Sequence, residues 1–245
     1  MKKRASVGDS PEGASFDLLW RGREPVTRGP KPAFRLGDVV DAGVDIADRQ
    51  GLAALTMAAV AERLGVTTMA IYRYVPSKGA LVDLAADRVM GRPPKPSKMT
   101  WRADISAWAR ANLAVVRRHP WLFEIISTRA SAGPNWARWL DAGLQCLAGL
   151  PFSASEKMAL LLLVDGHFRA SAQLMVGAKA SEEWARNFGS MLRAVAGSPR
   201  YPALAGMLAA GEFQEPGLDL EGMFEFGLER LLDGIDALAL ARAVD

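Results

Sequence analysis

Apolar positions first become periodic at residue 36, and their spacing is that of a helix. Apolar or small residues recur three and four positions apart through residue 47, while aspartates occupy the other side. Gly51 breaks this pattern. We therefore predict an amphipathic helix from residue 36 to just before Gly51. Its inward positions are Leu36, Val39, Val40, Gly43, Val44 and Ala47.

Three shorter helices are predicted between Gly51 and residue 90. Thr56 can cap the first of them, and Gly65 ends it. Thr67 can cap a second, very short helix, which stops before the proline of "VPSK" because the residue preceding a proline avoids helical geometry. Ser77 can cap the third. The apolar face of the first of these helices is Met57, Val60, Ala61 and Leu64.

The rest of the chain also reads as helices, without strand-like alternation or internal repeats. Residues 91–100, "GRPPKPSKMT", hold three prolines and three basic residues and predict a linker or boundary. Further helices are expected at roughly 101–118, 120–128, 134–149, 154–176, 181–196, 202–210 and 219–241. The fold class is therefore all-α, with a three-helix helix-turn-helix domain at 35–91 and a larger helical domain at 100–245.

Residues 1–34 are rich in glycine, proline, serine and charge, and we predict a flexible basic arm. Residues 1–35 contain eight Lys or Arg and four Asp or Glu. By analogy with homeodomain arms, Arg28 and Lys31 are candidate DNA contacts. The alternative is a solubilising tail that never touches DNA.

The overall composition restricts the possible functions more than it selects one. The chain has 245 residues, 50% of them hydrophobic, a net charge of +3, two histidines and one cysteine. No disulfide within the chain is possible, and no metal site or cofactor is expected. We find no paired nucleophile, no glycine-rich phosphate loop and no cluster of metal ligands in the sequence, so it does not suggest an enzyme. With no signal-like segment and no apolar run near the roughly 20 residues of a membrane span, we expect a cytoplasmic protein without membrane contact.

The spacing around the short helix is that of a helix-turn-helix. Ala61 allows close helix approach, Gly65 makes the turn, and Val66 and Ile71 lock the two helices together. The residues around Ile71 then point outward, with hydroxyl, apolar and basic groups that suit a major groove: Thr67, Thr68, Met69, Ala70, Tyr72 and Arg73. An ordinary helical hairpin inside a core is the alternative. Residues 36–91 also carry seven acids against five bases, which argues against general DNA affinity.

The segment "LTMAAVAERLGVTTMAIYRYVPSKGAL" resembles the DNA-binding domain of the tetracycline-repressor (TetR) family of bacterial transcription regulators, a match covering roughly residues 36–91. The stretches "HPWLFEI", "GPNWARWLDAGL", "LLLVDGHFRA" and "FEFGLERLLDGI" are similar to that family's regulatory domain. The resemblance implies a ligand-responsive, DNA-binding repressor that a small molecule releases from a palindromic operator. The alternative is an all-α dimeric small-molecule-binding protein that does not bind DNA.

The resemblance also implies roles for individual residues. Thr68, Met69 and Ala70 match the family's base-reading positions, and Thr67 adjoins them. Ala58 stands where some members read a base, so that contact is absent or apolar here. The positions matching phosphate contacts on double-stranded DNA are Thr56, Tyr72, Arg73, Tyr74 and Lys78.

In the regulatory half, six of the seven tryptophans lie between residues 101 and 184. Core packing explains most of them, but clustered aromatics can also line a pocket for a small apolar or aromatic effector. His167 is either a ligand contact or a hydrogen-bonded core residue. Ile125 stands where the family's magnesium-tetracycline site has a histidine, so that ligand is not expected. The candidate pocket residues are Trp108, Trp121, Ile125, Trp139, His167 and Phe168.

The last predicted helix carries a stripe of apolar and glycine positions. The resemblance favours a homodimer interface there, whereas the residues alone also allow a helix that covers the chain's own core. The stripe is Met223, Gly227, Leu231, Gly234, Ile235 and Leu238.

Overall fold

The computed structural model describes residues 11–21, 34–97, 100–128, 133–175, 178–209 and 219–244. For 11–14, 178–185 and 244 it describes the backbone only. These residues form twelve α-helices and one short 3₁₀ helix, and the described ranges contain no strand. The prediction of an all-α fold is therefore confirmed.

The first five helices surround the predicted helix-turn-helix. Apart from the first, each begins and ends within two residues of its predicted bounds. They are α1 (Pro11–Arg21), α2 (Leu36–Gln50), α3 (Met57–Leu64), α4 (Thr68–Tyr72) and α5 (Lys78–Met90), with the 3₁₀ helix Leu52–Ala54 between α2 and α3.

Seven further helices follow the proline-rich segment, matching in number and order the seven that the periodicity predicts. They are α6 (Trp101–Arg118), α7 (Trp121–Ile126), α8 (Pro134–Cys146), α9 (Ala154–Met175), α10 (Ala178–Val195), α11 (Pro202–Ala209) and α12 (Leu220–Val244). No helix in the described ranges is long and apolar enough to cross a membrane.

Part of the predicted flexible arm is wrong, because residues 11–21 form helix α1. This helix packs along α5. The Ser15 hydroxyl, 4% exposed, donates a hydrogen bond of 2.7 Å to Asp83 on α5. The prediction failed because the glycine and proline content of residues 1–34 indicates no helix, whereas a short helix can be stabilised by tertiary packing. Arg28 and Lys31 lie outside the described residues.

Side-chain caps start the helices at two of the three predicted positions. The Thr56 hydroxyl accepts a bond of 3.1 Å from the Ala59 amide, and the Ser77 hydroxyl accepts one of 3.2 Å from the Ala80 amide. Thr67 precedes α4 but makes no side-chain cap. Gly65 ends α3 with a φ of 67°, a left-handed conformation that glycine adopts without strain.

The chain divides into two compact units, Met1–Leu150 and Pro151–Asp245. The first unit contains α1 to α8, so the predicted helix-turn-helix domain and the first three regulatory helices belong to one body. At its centre, α5 contacts α1, α2 and α8. In the second unit, α9 packs against α12 and α10 against α11.

Candidate DNA-binding site and regulatory contacts

Helix α4 is fixed by two side chains that are completely buried. Ile71 and Val75 are both 0% exposed, and α4 packs against α3. The amides of Tyr74 and Val75 donate to the Ile71 carbonyl at 2.8 and 3.1 Å, which extends the helical turn beyond Tyr72. Ile71 on α4 and Val75 in the turn that follows it therefore form the buried side of this segment.

The opposite face of α4 is open to solvent. Met69 is 72% exposed and Tyr72 is 47% exposed, large values for such side chains. Thr67, Arg73 and Lys78 are also exposed. The four remaining candidate DNA contacts are half-buried: Thr56, Thr68, Ala70 and Tyr74.

This face carries positive charge that is not neutralised locally. Within the described part of the chain, neither Arg73 nor Lys78 forms an ion pair, and no acid lies between residues 63 and 82. Two free cations beside an exposed aromatic and hydroxyl groups suit a phosphate backbone, because phosphate contacts position a protein on the duplex.

Two aspartates of α2 are paired with arginines of the same domain. Asp41 accepts two bonds from Arg88, at 2.9 and 3.0 Å. Asp45 pairs with Arg49 at 2.9 Å and with Arg63 on α3. These pairs leave the count at seven acids and five bases, and the α4 surface is positive because no acid lies between residues 63 and 82.

Lys78→Ala should weaken binding to all DNA sequences about equally. One lost phosphate contact should reduce the slope of log K against log salt by roughly 0.9. The measurement is a fluorescence titration of operator and random DNA at several salt concentrations. The control is Arg49→Ala, which removes the same charge from a pair with Asp45. Identical slopes for Lys78→Ala and the wild type would contradict this role.

Met69→Gln should change which operator is preferred more than it changes affinity for random DNA. The reason is that Met69 is the most exposed large hydrophobic side chain described on this surface, at the leading end of α4. An apolar tip can pack on a thymine methyl, whereas glutamine bonds adenine. A selection from randomised operators measures the preference. The same consensus from both proteins would remove Met69 from the reading surface.

Three tryptophans predicted near a pocket have polar partners in the first unit. The indole N–H of Trp108 donates to the Trp139 carbonyl at 2.8 Å, and that of Trp139 donates to the Met90 carbonyl at 2.9 Å. The indole N–H of Trp121 donates to Asp48 on α2 at 2.6 Å. All three side chains are at least 96% buried. Trp121 joins α7 to α2, Trp139 joins α8 to α5, and Trp108 joins α6 to α8.

Two further residues complete these contacts. His119 Nδ1 lies 2.7 Å from the same Asp48 oxygen that Trp121 bonds. Ile125, a predicted pocket residue, is 3% exposed on α7. The pocket role of these side chains remains a prediction.

Asp87 on α5 caps the first turn of α8. The amides of Asn135 and Trp136 donate to its Oδ1 at 2.9 and 3.3 Å, and the Asn135 side-chain amide donates to Oδ2 and to the Asp87 carbonyl at 3.0 and 2.8 Å. Gly133 holds the capping position without a side chain, and a Cβ there would overlap the carboxylate. Burial raises the pKa of Asp87, a shift that these hydrogen bonds and Arg138 oppose.

In the second unit, His167 has a structural partner. Its Nε2 lies 2.8 Å from the Phe224 carbonyl, so Nε2 carries the proton that it donates. The imidazole stacks on the Phe224 ring, with centroids 5.3 Å apart. Gly227 faces the same imidazole, and a Cβ at this position would overlap it. Phe168 is 3% exposed.

The predicted dimer stripe divides between two faces of α12. Met223, Gly234 and Leu238 are exposed, and Leu231 is half-buried. Ile235 is 2% exposed, and the half-buried Gly227 faces His167. The sequence analysis missed four exposed apolar side chains on α9 and α12, because both helices are apolar on more than one side: Leu162, Leu163, Phe226 and Leu240.

The chain's only cysteine does not supply a nucleophile. Cys146 is buried, and desolvation followed by the charge of Asp104 raises the pKa of its thiol to about 11. No group of three or more metal-ligating side chains occurs in the described residues. Asp48, Asp87 and Asn135 are important contacts that the sequence analysis did not single out, since no spacing rule connects residues so far apart.

In the part of the chain that the structure describes, a short helix locked on its predecessor presents an exposed face on which Arg73 and Lys78 form no ion pair. This arrangement is that of a helix-turn-helix DNA-binding regulator. Residues 39–85 match the model for bacterial regulatory proteins of the tetR family, and residues 93–239 match the tetracyclin repressor-like C-terminal domain. The chain therefore belongs to the TetR family and is a DNA-binding transcriptional regulator. The alternative of a helical protein that does not bind DNA is not favoured.

Similar proteins cover nearly the whole chain. The HTH-type transcriptional repressor DrrR1 of Streptomyces coeruleorubidus is 37% identical, over 96% of this chain and 89% of that protein. An HTH-type transcriptional regulator of Saccharopolyspora erythraea is 30% identical, over 97% and 98%. The crystal structure of the Streptomyces coelicolor TetR family protein ActR with actinorhodin has a TM-score of 0.71 at 24% identity, covering 86% of this chain and 99% of ActR. That likeness shows the fold.

Proposed function

We propose that this protein is a homodimeric repressor, which binds a palindromic operator and leaves it when a small molecule binds the C-terminal domain. The observation that carries the proposal is the exposed, acid-free face of α4, with Arg73 and Lys78 unpaired among the described residues. The similarity to a curated repressor supports repression rather than activation.

The dimer is proposed on the exposed side of α9 and α12. Met223, Phe226 and Leu238 are 51%, 65% and 44% exposed, and Leu162 and Leu163 on α9 are 56% and 49% exposed. Clusters of exposed apolar side chains on helices that pack together, as α9 and α12 do, are typical of an interaction site. Two-fold symmetry would set two copies of α4 about one DNA turn, roughly 34–36 Å, apart.

The effector is proposed to be an aromatic small molecule. Support comes from the tryptophans of the regulatory helices and from ActR, whose crystal structures hold actinorhodin or (S)-DNPA. Apolar pockets with a few polar groups suit such molecules. Residues Trp108, Trp121, Ile125, Trp139, His167 and Phe168 remain candidate contacts, and Arg28 and Lys31 remain candidate DNA contacts.

The test is a selection of genomic fragments by the purified full chain, followed by a gel shift of the enriched fragment with and without actinorhodin. We expect a palindromic fragment, a two-protomer complex and release by the aromatic probe. Enrichment of no fragment would overturn the DNA-binding proposal, and a complex that actinorhodin leaves intact would contradict this effector class.

Gly234→Glu tests the dimer separately. This glycine is exposed on α12 and has nothing within 4 Å of an added Cβ, so the monomer tolerates the change. An unpaired charge buried at an interface costs several kcal/mol, so sedimentation should show a monomer. An unchanged mass would place the interface elsewhere.

A further inference from the structure

Helix α12 carries a buried stripe of residues and, on its opposite side, an exposed one. The buried stripe lies in the second unit, where α12 packs against α9: Phe224, Leu228, Leu232 and Ile235. On the opposite side, exposed residues recur three and four positions apart. We call these residues the outer stripe: Met223, Phe226, Arg230, Asp233, Ala237 and Leu240. Since the apolar residues toward its ends are exposed in the single chain, the outer stripe is a surface on which another helix can pack.

Two opposite charges occupy the centre of the outer stripe. Arg230 Nε donates a hydrogen bond of 2.8 Å to Asp233 Oδ2, and Arg230 Nη2 lies 2.7 Å from the same oxygen. The Arg230 guanidinium also lies over the Phe226 ring, 5.1 Å from its centroid. On an exposed helix such a pair contributes little to stability, and charges at an interface must be desolvated. Charged or polar residues within an apolar seam instead determine which helices pair and in which register.

The spacing of the outer stripe is the same in both directions along α12. Its steps are three, four, three, four and three residues. A two-fold axis beside the midpoint, between residues 231 and 232, therefore sets the outer stripes of two copies antiparallel and in contact. Apolar ends then meet, a large ring meets a methyl group, and opposite charges meet: Met223 with the partner's Leu240, Phe226 with the partner's Ala237, and Arg230 with the partner's Asp233.

Other arrangements of two α12 helices bring like charges together. If the two copies were parallel, Arg230 would face the partner's Arg230. If antiparallel copies were centred on Asp233, this carboxylate would face the partner's Asp233. Like charges placed opposite each other strongly disfavour an interface. The order of the two charges therefore favours the antiparallel arrangement centred between residues 231 and 232.

We propose that Arg230 and Asp233 select a second copy of this chain as the partner, because each Arg230 then faces the partner's Asp233 across the two-fold axis. This inference rests on the proposed dimer and adds the two charges that decide which chains form it. Apolar contact alone would accept any chain with a similar apolar helix. A chain with the two charges in reverse order, in contrast, would place like charges opposite each other and would be excluded.

The first test exchanges the two charges in the variant Arg230→Asp/Asp233→Arg. Copies of this variant should pair with each other as wild-type copies do, since every facing pair again has opposite charges. In a dimer of this variant with the wild type, like charges would face each other at both positions. The mixed dimer should therefore fall to about one tenth or less of its share in random pairing.

Native mass spectrometry of the two full chains, one carrying a tag that separates their masses, measures the shares of the three dimers after subunit exchange. The control is tagged and untagged wild type, which should pair at random and shows when exchange is complete. Random pairing of the exchanged variant with the wild type would overturn the proposal, and so would failure of the folded variant to pair with itself.

The single variants Arg230→Asp and Asp233→Arg separate the contact across the axis from the ion pair within each chain. Each alone should raise the dissociation constant of its homodimer about 100-fold or more, because like charges then face each other. Mixed together, the two variants should form a dimer with one copy of each, since opposite charges face each other across the axis while like charges remain within each chain. If the pair only stabilised its own helix, mixing would restore nothing, and the proposal would be wrong.

Arg193→Asp is the matched control for the single variants. It makes the same charge reversal at an exposed position on α10, outside the outer stripe, and should leave the dimer intact. Circular dichroism establishes that each variant is folded, and the exchanged variant decides alone if a single variant is not. A monomeric wild type would overturn the proposed dimer itself. A dimeric wild type that pairs freely with the exchanged variant would overturn only the selection by charge.

Discussion

Ile71→Ala should reduce operator binding to the level of random DNA. Ile71 is 0% exposed and holds α4 against α3. Truncating a buried isoleucine costs about 2–5 kcal/mol through lost burial and the remaining cavity. Because α4 has only five residues, it cannot keep its orientation without this anchor. The loss of specific affinity should reach about 10³-fold, the lower end of the gap between specific and non-specific binding.

The control is Met69→Ala on the outward face of the same helix. Since Met69 is 72% exposed, this change should leave thermal stability near that of the wild type while altering operator preference. Denaturant unfolding and gel shifts, both at a temperature where each variant is folded, measure the two effects. If folded Ile71→Ala binds the operator as the wild type does, Ile71 does not anchor the recognition helix.

Gly227→Ala should destabilise the second unit. The added Cβ would overlap the His167 imidazole, so the ring must move away from the Phe224 carbonyl that it bonds at 2.8 Å. Forcing an extra carbon into a packed contact costs about 1–3 kcal/mol. The Phe224 carbonyl would also lose its hydrogen bond from His167, which adds to the loss of stability. The melting temperature of the full chain measures the effect.

Gly234→Ala is the matched substitution, seven residues along the same helix. Nothing lies within 4 Å of its added Cβ, and alanine favours a helix over glycine by roughly 0.5–1 kcal/mol. At a protein concentration low enough to keep the chain monomeric, its melting temperature should therefore stay the same or rise. Similar losses from both alanines would mean that the contact with His167 does not determine the cost at Gly227.

The helices were predictable from the sequence because most of their signals are local. Thr56, Gly65 and Ser77 act on neighbouring amides or on their own backbone dihedrals, and the structure confirms each. Ile71 and Val75 were identifiable as inward residues by their helical spacing. The exposed side of α4 followed from the same register, and its contact with DNA stays a prediction.

Other features depend on contacts between distant residues. Helix α1 is short and is stabilised by packing on α5, including the bond from Ser15 to Asp83, 68 positions away. Asp87 meets Asn135 across 48 positions. From the sequence, the side of α12 that faces the chain's own core could not be distinguished from a side that forms a dimer, because α12 carries apolar residues on more than one side. Only the position of α9 shows that Gly227 faces His167.

Asp87 also determines where this protein can be recombined with its relatives. The proline-rich segment at 91–97 resembles a domain boundary, and it is the obvious place to join the DNA-binding helices of one regulator to the regulatory helices of another. A hybrid joined there would place a buried carboxylate against a foreign α8, and without matching amides that charge would be left unpaired, a defect worth several kcal/mol. Functional chimeras should instead be joined near Leu150, where the first compact unit ends, or should transfer Asp87, Gly133 and Asn135 together.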